Sequence, residues 1–237
     1  MTEHLRNLRK TAGKTKGTSL DAGHLMLVKG LTRASAVKYR KSNIEMLNNL
    51  NILLGVTGGI AAYKAVDLAG KLTDSGAKVR TVMTENACRL VGSKSFEAIT
   101  QSAVFTALWN TPEEYQISHI ALVDWSDVVV VAPATANILG KIANGICDDM
   151  LSTTLCACWP LVESGAALLA PAMNTNMWEN PAVQHNVKTL EERGFQFIGP
   201  TEGRLACGTE GIGRMSEPQE ILEAVEKIAS KITKSQE

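Results

Sequence analysis

The sequence predicts an α/β protein, a mostly parallel six-stranded sheet between helical layers, on three observations. Six short apolar runs, at residues 51–57, 79–83, 104–108, 128–132, 166–170 and 195–198, alternate with stretches of helical spacing. The first two runs enclose a glycine turn and one helix, a βαβ unit whose parallel strands call for a right-handed crossover. The run Val128-Val129-Val130-Val131-Ala132 is apolar at every position, as a central strand covered on both faces must be.

The first strand, 51–57, is closed by Gly58-Gly59, after which Ala61, Ala62, Ala65, Val66, Ala69 and Leu72 recur at helical spacing up to Gly76. Val79 to Met83 is the second strand, and the remaining four runs follow with helical stretches between them. Asp148-Asp149 is read as the acidic start of a helix, favoured by its N-terminal dipole, rather than as a metal pair, and no metal site is expected. The last helix is expected to start at Ser216-x-x-Gln219, with Pro218 in its first turn, and to end near Ile232. The fold class is therefore a single-domain, Rossmann-like (flavodoxin-like) three-layer sandwich over residues 50–232. Residues 1–49 form a basic arm expected to be disordered, and 233–237 a C-terminal tail.

Composition narrows the class further. A chain of 237 residues, 45% hydrophobic and 20% charged, can bury a sizeable core. Its 19 Gly, 7 Pro and 5 Cys exclude collagen-like and disulfide-scaffold proteins. The longest uncharged run, 46–63, carries Asn48, Asn49, Asn51 and three glycines, so no transmembrane helix and no membrane partner are expected. The N-terminus lacks the apolar run of a secretory signal, so a cytoplasmic location is expected. Cys88, Cys147, Cys156, Cys158 and Cys207 are odd in number and irregularly spaced, so reduced thiols are expected. Cys156 and Cys158 are expected to be buried structural thiols. Zero net charge hides an asymmetry, since ten of the 24 Lys and Arg but three of the 24 Asp and Glu fall in the first 50 residues. Without aromatic residues repeatedly interleaved with those cations, a solvated tail or an upstream extension is favoured over a nucleic-acid contact.

In an open parallel sheet, ligands bind beyond the carboxyl ends of the strands. After the first strand comes Thr57-Gly58-Gly59-Ile60, whose glycines let backbone approach an anion at a helix N-terminus. Taken alone it is either a phosphate turn or a plain tight turn, being neither a Walker loop nor the G-x-G-x-x-G pattern. After the central strand comes Pro133-Ala134-Thr135-Ala136-Asn137, and after the next Pro171-Ala172-Met173-Asn174-Thr175-Asn176-Met177-Trp178. Both place small and amide-bearing residues where they can hydrogen-bond a heterocycle or a carboxylate without adding charge. Residues 204–215 set Cys207 among three glycines, a composition suited to a mobile flap with a reactive thiol. His4, His24 and His185 are read as surface or hydrogen-bonded structural histidines, and Met173, Met177 and Trp178 as ordinary core candidates.

The run 57–64, Ser118-His119-Ile120, Trp125-Ser126-Asp127, Pro133 to Asn137, Pro171 to Trp178 and Ala206-Cys207-Gly208 together resemble the homo-oligomeric flavin-containing cysteine decarboxylases, over about residues 50–230. Thr135 stands where many relatives have Ser. The resemblance implies FMN as cofactor and a homo-oligomer built from trimers, either a trimer or a dodecamer of trimers, with the flavin near the subunit interface. It implies a carboxy-lyase of coenzyme A biosynthesis whose small-molecule substrate is 4'-phosphopantothenoylcysteine and whose product is 4'-phosphopantetheine. The substrate thiol side chain is oxidised to a thioaldehyde, carbon dioxide leaves, and the enethiol is reduced. Carried over by position, His119 is similar to the family's base, Asn174 to the residue holding the substrate carboxylate, and Cys207 to the acid that completes the reduction. The FMN positions are Gly58, Gly59, Ile60, Thr84, Asn86, Thr135, Ala136, Asn137, Ala172 and Met173, and those of the substrate flap are Arg204, Leu205 and Ala206. The alternatives are a peptidyl-cysteine decarboxylase of the lantibiotic-modifying type, which stops at the enethiol, and a non-catalytic flavoprotein regulatory subunit. Because the chain ends soon after the last helix, a separate enzyme is expected to supply the substrate.

Overall fold

The computed structural model describes residues 47–109, 119–206 and 208–236, all within the unit Asn43–Glu237. The basic arm up to residue 46, together with Ser118 and Cys207, therefore lies outside the described residues. Strands β1 (Asn51–Val56), β2 (Lys78–Met83), β3 (Val104–Phe105), β4 (Val128–Ala134), β5 (Ala167–Pro171) and β6 (Gln196–Phe197) form one sheet in the order β3-β2-β1-β4-β5-β6. Every neighbouring pair is parallel. This is the doubly wound order of dinucleotide-binding sheets, with its switch point between β1 and β4.

Alternation along β1 and β4 sends side chains to two separate cores. Ile52, Leu54, Val56, Val128 and Val130 pack against α1 (Ala62–Asp74), while Leu53, Val129 and Val131 face the opposite layer. That second layer holds α4 (His119–Trp125), α5 (Ala136–Asn144), α6 (Met150–Ala157) and α9 (Pro181–Glu192). Along the chain, α2 (Glu85–Cys88) and α3 (Ser93–Thr100) follow α1, and α7 (Trp159–Glu163) and α8 (Thr175–Trp178) fall between α6 and α9. Each fully buried Leu or Val on these central strands contributes about 1.5–3 kcal/mol, which is why the apolar run 128–132 takes the middle of the sheet.

The structure revises several boundaries. The edge strands β3 and β6 are shorter than the apolar runs that predicted them, because each pairs on one side only. Leu47, assigned to the arm, is fully buried in the first core, so the packed body starts ahead of residue 50. The last helix, α10 (Pro218–Gln236), continues through most of the expected tail. Its start is one residue later than predicted: the Glu217 backbone N–H donates to Glu220 Oε2 at 2.7 Å, while Ser216 is buried. Asp149 caps α6 as expected of an acidic helix start, through a reciprocal capping box with Ser152. Cys158 is buried as predicted and burial pushes its thiol up to about 12, but Cys156 is exposed, since it falls on the outer face of α6. The stretch 204–215, expected as a mobile flap, overlaps an antiparallel hairpin of β7 (Thr201–Arg204) and β8 (Glu210–Arg214). Among the described residues no helix is long and apolar enough to cross a membrane.

Candidate active site

The carboxyl ends of β1, β4 and β5 and the hairpin β7–β8 enclose a cavity of about 760 Å³, within the range of cofactor and small-molecule sites. Thr57 ties two of these loops together. Its buried hydroxyl donates to the Pro133 carbonyl at 2.6 Å and accepts from the Thr135 backbone N–H at 3.3 Å. A Cβ on Gly58 would lie 2.4 Å from the Asn86 Cβ, so only glycine lets the loop after β2 close on the turn after β1. Thr84 holds that loop by capping α2, accepting from the Ala87 N–H at 3.3 Å. The first turn of α1 carries no acidic residue, which leaves its N-terminal end suited to an anion.

Thr135 sits at the N-cap of α5 without using its side chain as the cap. Asn174 is the N-cap of α8, and its Oδ1 accepts from the Asn176 N–H at 2.9 Å, which fixes the plane of the carboxamide at the cavity wall. The hairpin closes the far side by direct backbone contact. The Met173 N–H donates to the Gly213 carbonyl at 2.9 Å, and a Cβ on Gly213 would meet the Met173 oxygen at 2.2 Å. Where β8 ends, Glu217 pairs with both Lys64 of α1, at 2.9 Å, and Arg214. The Lys64 ammonium first, and the Arg214 guanidinium second, hold the Glu217 carboxyl below its ordinary value.

Of the sequence-predicted residues, Gly58, Gly59, Ile60, Thr135, Ala172, Met173, Asn174, Arg204, Leu205 and Ala206 all line this one cavity. Asn86 stands behind Gly58, and Thr84, Ala136 and Asn137 do not line the wall. His119 does not line it either. It opens α4, whose other end is fixed by the Arg80 guanidinium 4.2 Å over the Trp125 ring and by Ser126 donating to the Leu122 carbonyl at 2.6 Å. The motif residue Asp127 has a structural task, accepting from the Asn51 N–H at the start of β1. Cys207 lies outside the described residues. Tyr63, Lys64, Met177, Gly213, Arg214 and Met215 are cavity residues that sequence reasoning did not assign. Met177, a core candidate by type, is 48% exposed, and Ile60 and Tyr63 beside it are each 62% exposed. Such an apolar rim is a surface that a flat ligand or a second chain would cover.

The chain as a whole is similar to known proteins. The family model described as Flavoprotein covers residues 40–230. The chain belongs to the Flavoprotein family. Within that family, it is 49% identical over 182 residues to the coenzyme A biosynthesis bifunctional protein CoaBC of Bacillus subtilis (strain 168), covering 77% of this chain and 44% of that relative. The CoaBC of Mycolicibacterium smegmatis is 42% identical over 170 residues, 72% of this chain and 39% of its own. The chain thus spans less than half the length of these curated relatives. Among solved structures, a PPC decarboxylase variant complexed with pantothenoylaminoethenethiol matches with a TM-score of 0.66 at 34% identity, over 77% of this chain and all of that one. The FMN-dependent cysteine decarboxylase SpaF matches with a TM-score of 0.63 at 33% identity, over 78% of this flavoprotein chain and 99% of its own.

Proposed function

We propose that this flavoprotein is an FMN-dependent decarboxylase that converts 4'-phosphopantothenoylcysteine to 4'-phosphopantetheine for coenzyme A biosynthesis in the cytoplasm, within a domain spanning about residues 50–232. The observation that carries the reading is the pair of neutral polar residues that line the cavity at two strand ends. Asn174 and Thr135, rather than a cation, stand at the ends of β5 and β4. A carboxylate that must leave as carbon dioxide is better held by an amide than by a guanidinium, which would stabilise its charge more before the reaction than during it. The PPC decarboxylase and SpaF structures and the CoaBC relatives support the same chemistry.

The residues present fit a flavin mononucleotide. Gly58 and Gly59 put bare backbone on the cavity wall, the anion-suited start of α1 lies beside them, and Ile60, Met173 and Met177 offer apolar surface to a ring system. Bound there, the flavin supplies the two-electron chemistry that first activates the cysteine side chain and then restores the saturated thiol. The protein does the rest. Asn174 orients the carboxylate, Arg204, Leu205 and Ala206 close the hairpin over the substrate, and the Cys207 thiol donates the final proton. His119 serves as base from a neighbouring subunit of a homotrimer. This accounts for its place outside its own chain's cavity lining and for the exposed rim at Ile60 and Tyr63.

The test is release of labelled carbon dioxide from carboxyl-labelled 4'-phosphopantothenoylcysteine by FMN-loaded protein. The wild type should release it, and Asn174→Asp, which sets a negative charge against the carboxylate, should lose at least about a hundredfold in rate. Wild-type protein that carries FMN and releases none contradicts the reading.

A further inference from the structure

Three cations line the cavity, and two of them are held by one carboxylate that does not line it. Lys64 Nζ donates to Glu217 Oε1 at 2.9 Å, and Arg214 Nη2 donates to the same oxygen. Lys64 lies in the first turn of α1 with its side chain only 14% exposed, Arg214 ends β8, and Glu217 precedes α10, so a single carboxylate joins three elements. The third cation, Arg204, has no ion pair among the described residues. The Arg214 side chain leaves the backbone one residue after Gly213, whose carbonyl is bonded to Met173 and whose missing Cβ would lie 3.4 Å from the Asn174 carbonyl carbon. Arg214 and Asn174 line the same cavity, so an unpaired guanidinium there shares its space with whatever Asn174 holds.

We propose that Glu217 is a positioning residue that keeps Lys64 and Arg214 engaged, so that the substrate carboxylate meets the neutral Asn174 amide and not a cation. The inference rests on the decarboxylation reading above and extends it to what sets the charge around the leaving group. A cation on the carboxylate strengthens substrate binding but loses its attraction as the charge moves away with bond cleavage, so it lowers KM and kcat together. A carboxylate that merely fastened the hairpin would behave differently. Its loss would loosen the flap and raise KM.

The experiment compares kcat and KM for carbon dioxide release by FMN-loaded wild type, Glu217→Gln and the double variant Glu217→Gln/Arg214→Gln. Glu217→Gln should lower KM by about fivefold and kcat by about tenfold. The double variant, with one of the two released cations removed, should return both part of the way toward the wild-type values. Binding of phosphopantetheine, which lacks the carboxylate, should change less than about twofold in Glu217→Gln, read from the flavin absorbance. A raised or unchanged KM in Glu217→Gln, no recovery in the double variant, or equal tightening of the carboxylate-free product each overturns the proposal. Should Glu217→Gln fail to retain flavin, Glu217→Asp keeps the charge while weakening both pairs and should shift KM and kcat the same way by a smaller factor; a KM that rises in it overturns the proposal. Wild-type protein that releases no carbon dioxide overturns the functional reading instead, whereas an active wild type with the wrong variant pattern overturns this inference alone.

Discussion

Two charged trios in this molecule are inverses of each other. At the α5–α6 turn one cation, Lys141, holds two carboxylates, Asp148 at 2.5 Å and Asp149 at 2.6 Å. At the cavity one carboxylate, Glu217, holds two cations. The first trio is local, its members falling within one short stretch, and Asp149 also caps α6 by accepting from the Ser152 N–H at 2.8 Å. The second spans 153 positions between Lys64 and Glu217, and both of its cations line the cavity. Partly exposed ion pairs contribute little to stability wherever they occur. What separates the trios is therefore location: the local one starts a helix, and the long-range one sets the charge at a binding surface. The hydrogen bond from Lys141 holds the Asp148 carboxyl below its ordinary value, as Lys64 does for Glu217, so a depressed pKa alone does not mark the functional trio.

The contrast can be broken most strongly at the hairpin that carries Arg214. Gly213→Ala places a methyl group 2.2 Å from the Met173 carbonyl oxygen at a backbone φ of +144°, forcing β8 away from the Asn174 loop. A displacement of that kind beside a reacting group should cost about a hundredfold in kcat/KM, measured at saturating FMN. Activity within a few fold of wild type would show that the hairpin contact does not shape the site. The local trio should give the opposite pattern. Asp149→Ala removes a helix cap worth about 1 kcal/mol and should lower Tm by about 2–4 °C, with kcat per folded chain unchanged. A large loss of turnover would remove the distinction between the trios. The smallest effect is in pH dependence. A carboxylate whose folded pKa is depressed adds stability that is present above its unfolded value and lost as pH falls through the folded one. The Tm difference between wild type and Lys141→Met should therefore be constant near neutrality and close below about pH 4. A gap that widens in acid contradicts the pairing.

Much of the sheet is written in local pattern. The uninterrupted apolar run 128–132 marks β4 because burial on both faces leaves no polar position, and Gly58-Gly59 marks the end of β1 because only glycine tolerates the contact with Asn86. The hairpin β7–β8 was hidden for the converse reason. Its strands carry Gly203, Gly211 and Gly213, which weaken any strand pattern yet permit the close backbone approach that builds the cavity wall. The strand-end residues of the site were legible as small and amide-bearing types in unusual places. Lys64, Arg214 and Glu217 were not, since their partnership exists only after folding joins α1 to β8. Cys156 and Cys158 show the limit of composition: two residues apart in one apolar stretch, they lie on opposite faces of a helix end.

The most direct test of the central claim is the mass of the product formed when FMN-loaded protein is incubated anaerobically with 4'-phosphopantothenoylcysteine. The account predicts 4'-phosphopantetheine, the substrate less carbon dioxide, with the flavin returned to its oxidised form. An enethiol product, lighter than phosphopantetheine by two hydrogens and accompanied by reduced flavin, would instead assign the chain to the peptidyl-cysteine type of reaction. Unchanged substrate beside bound, oxidised FMN would contradict the enzymatic account altogether.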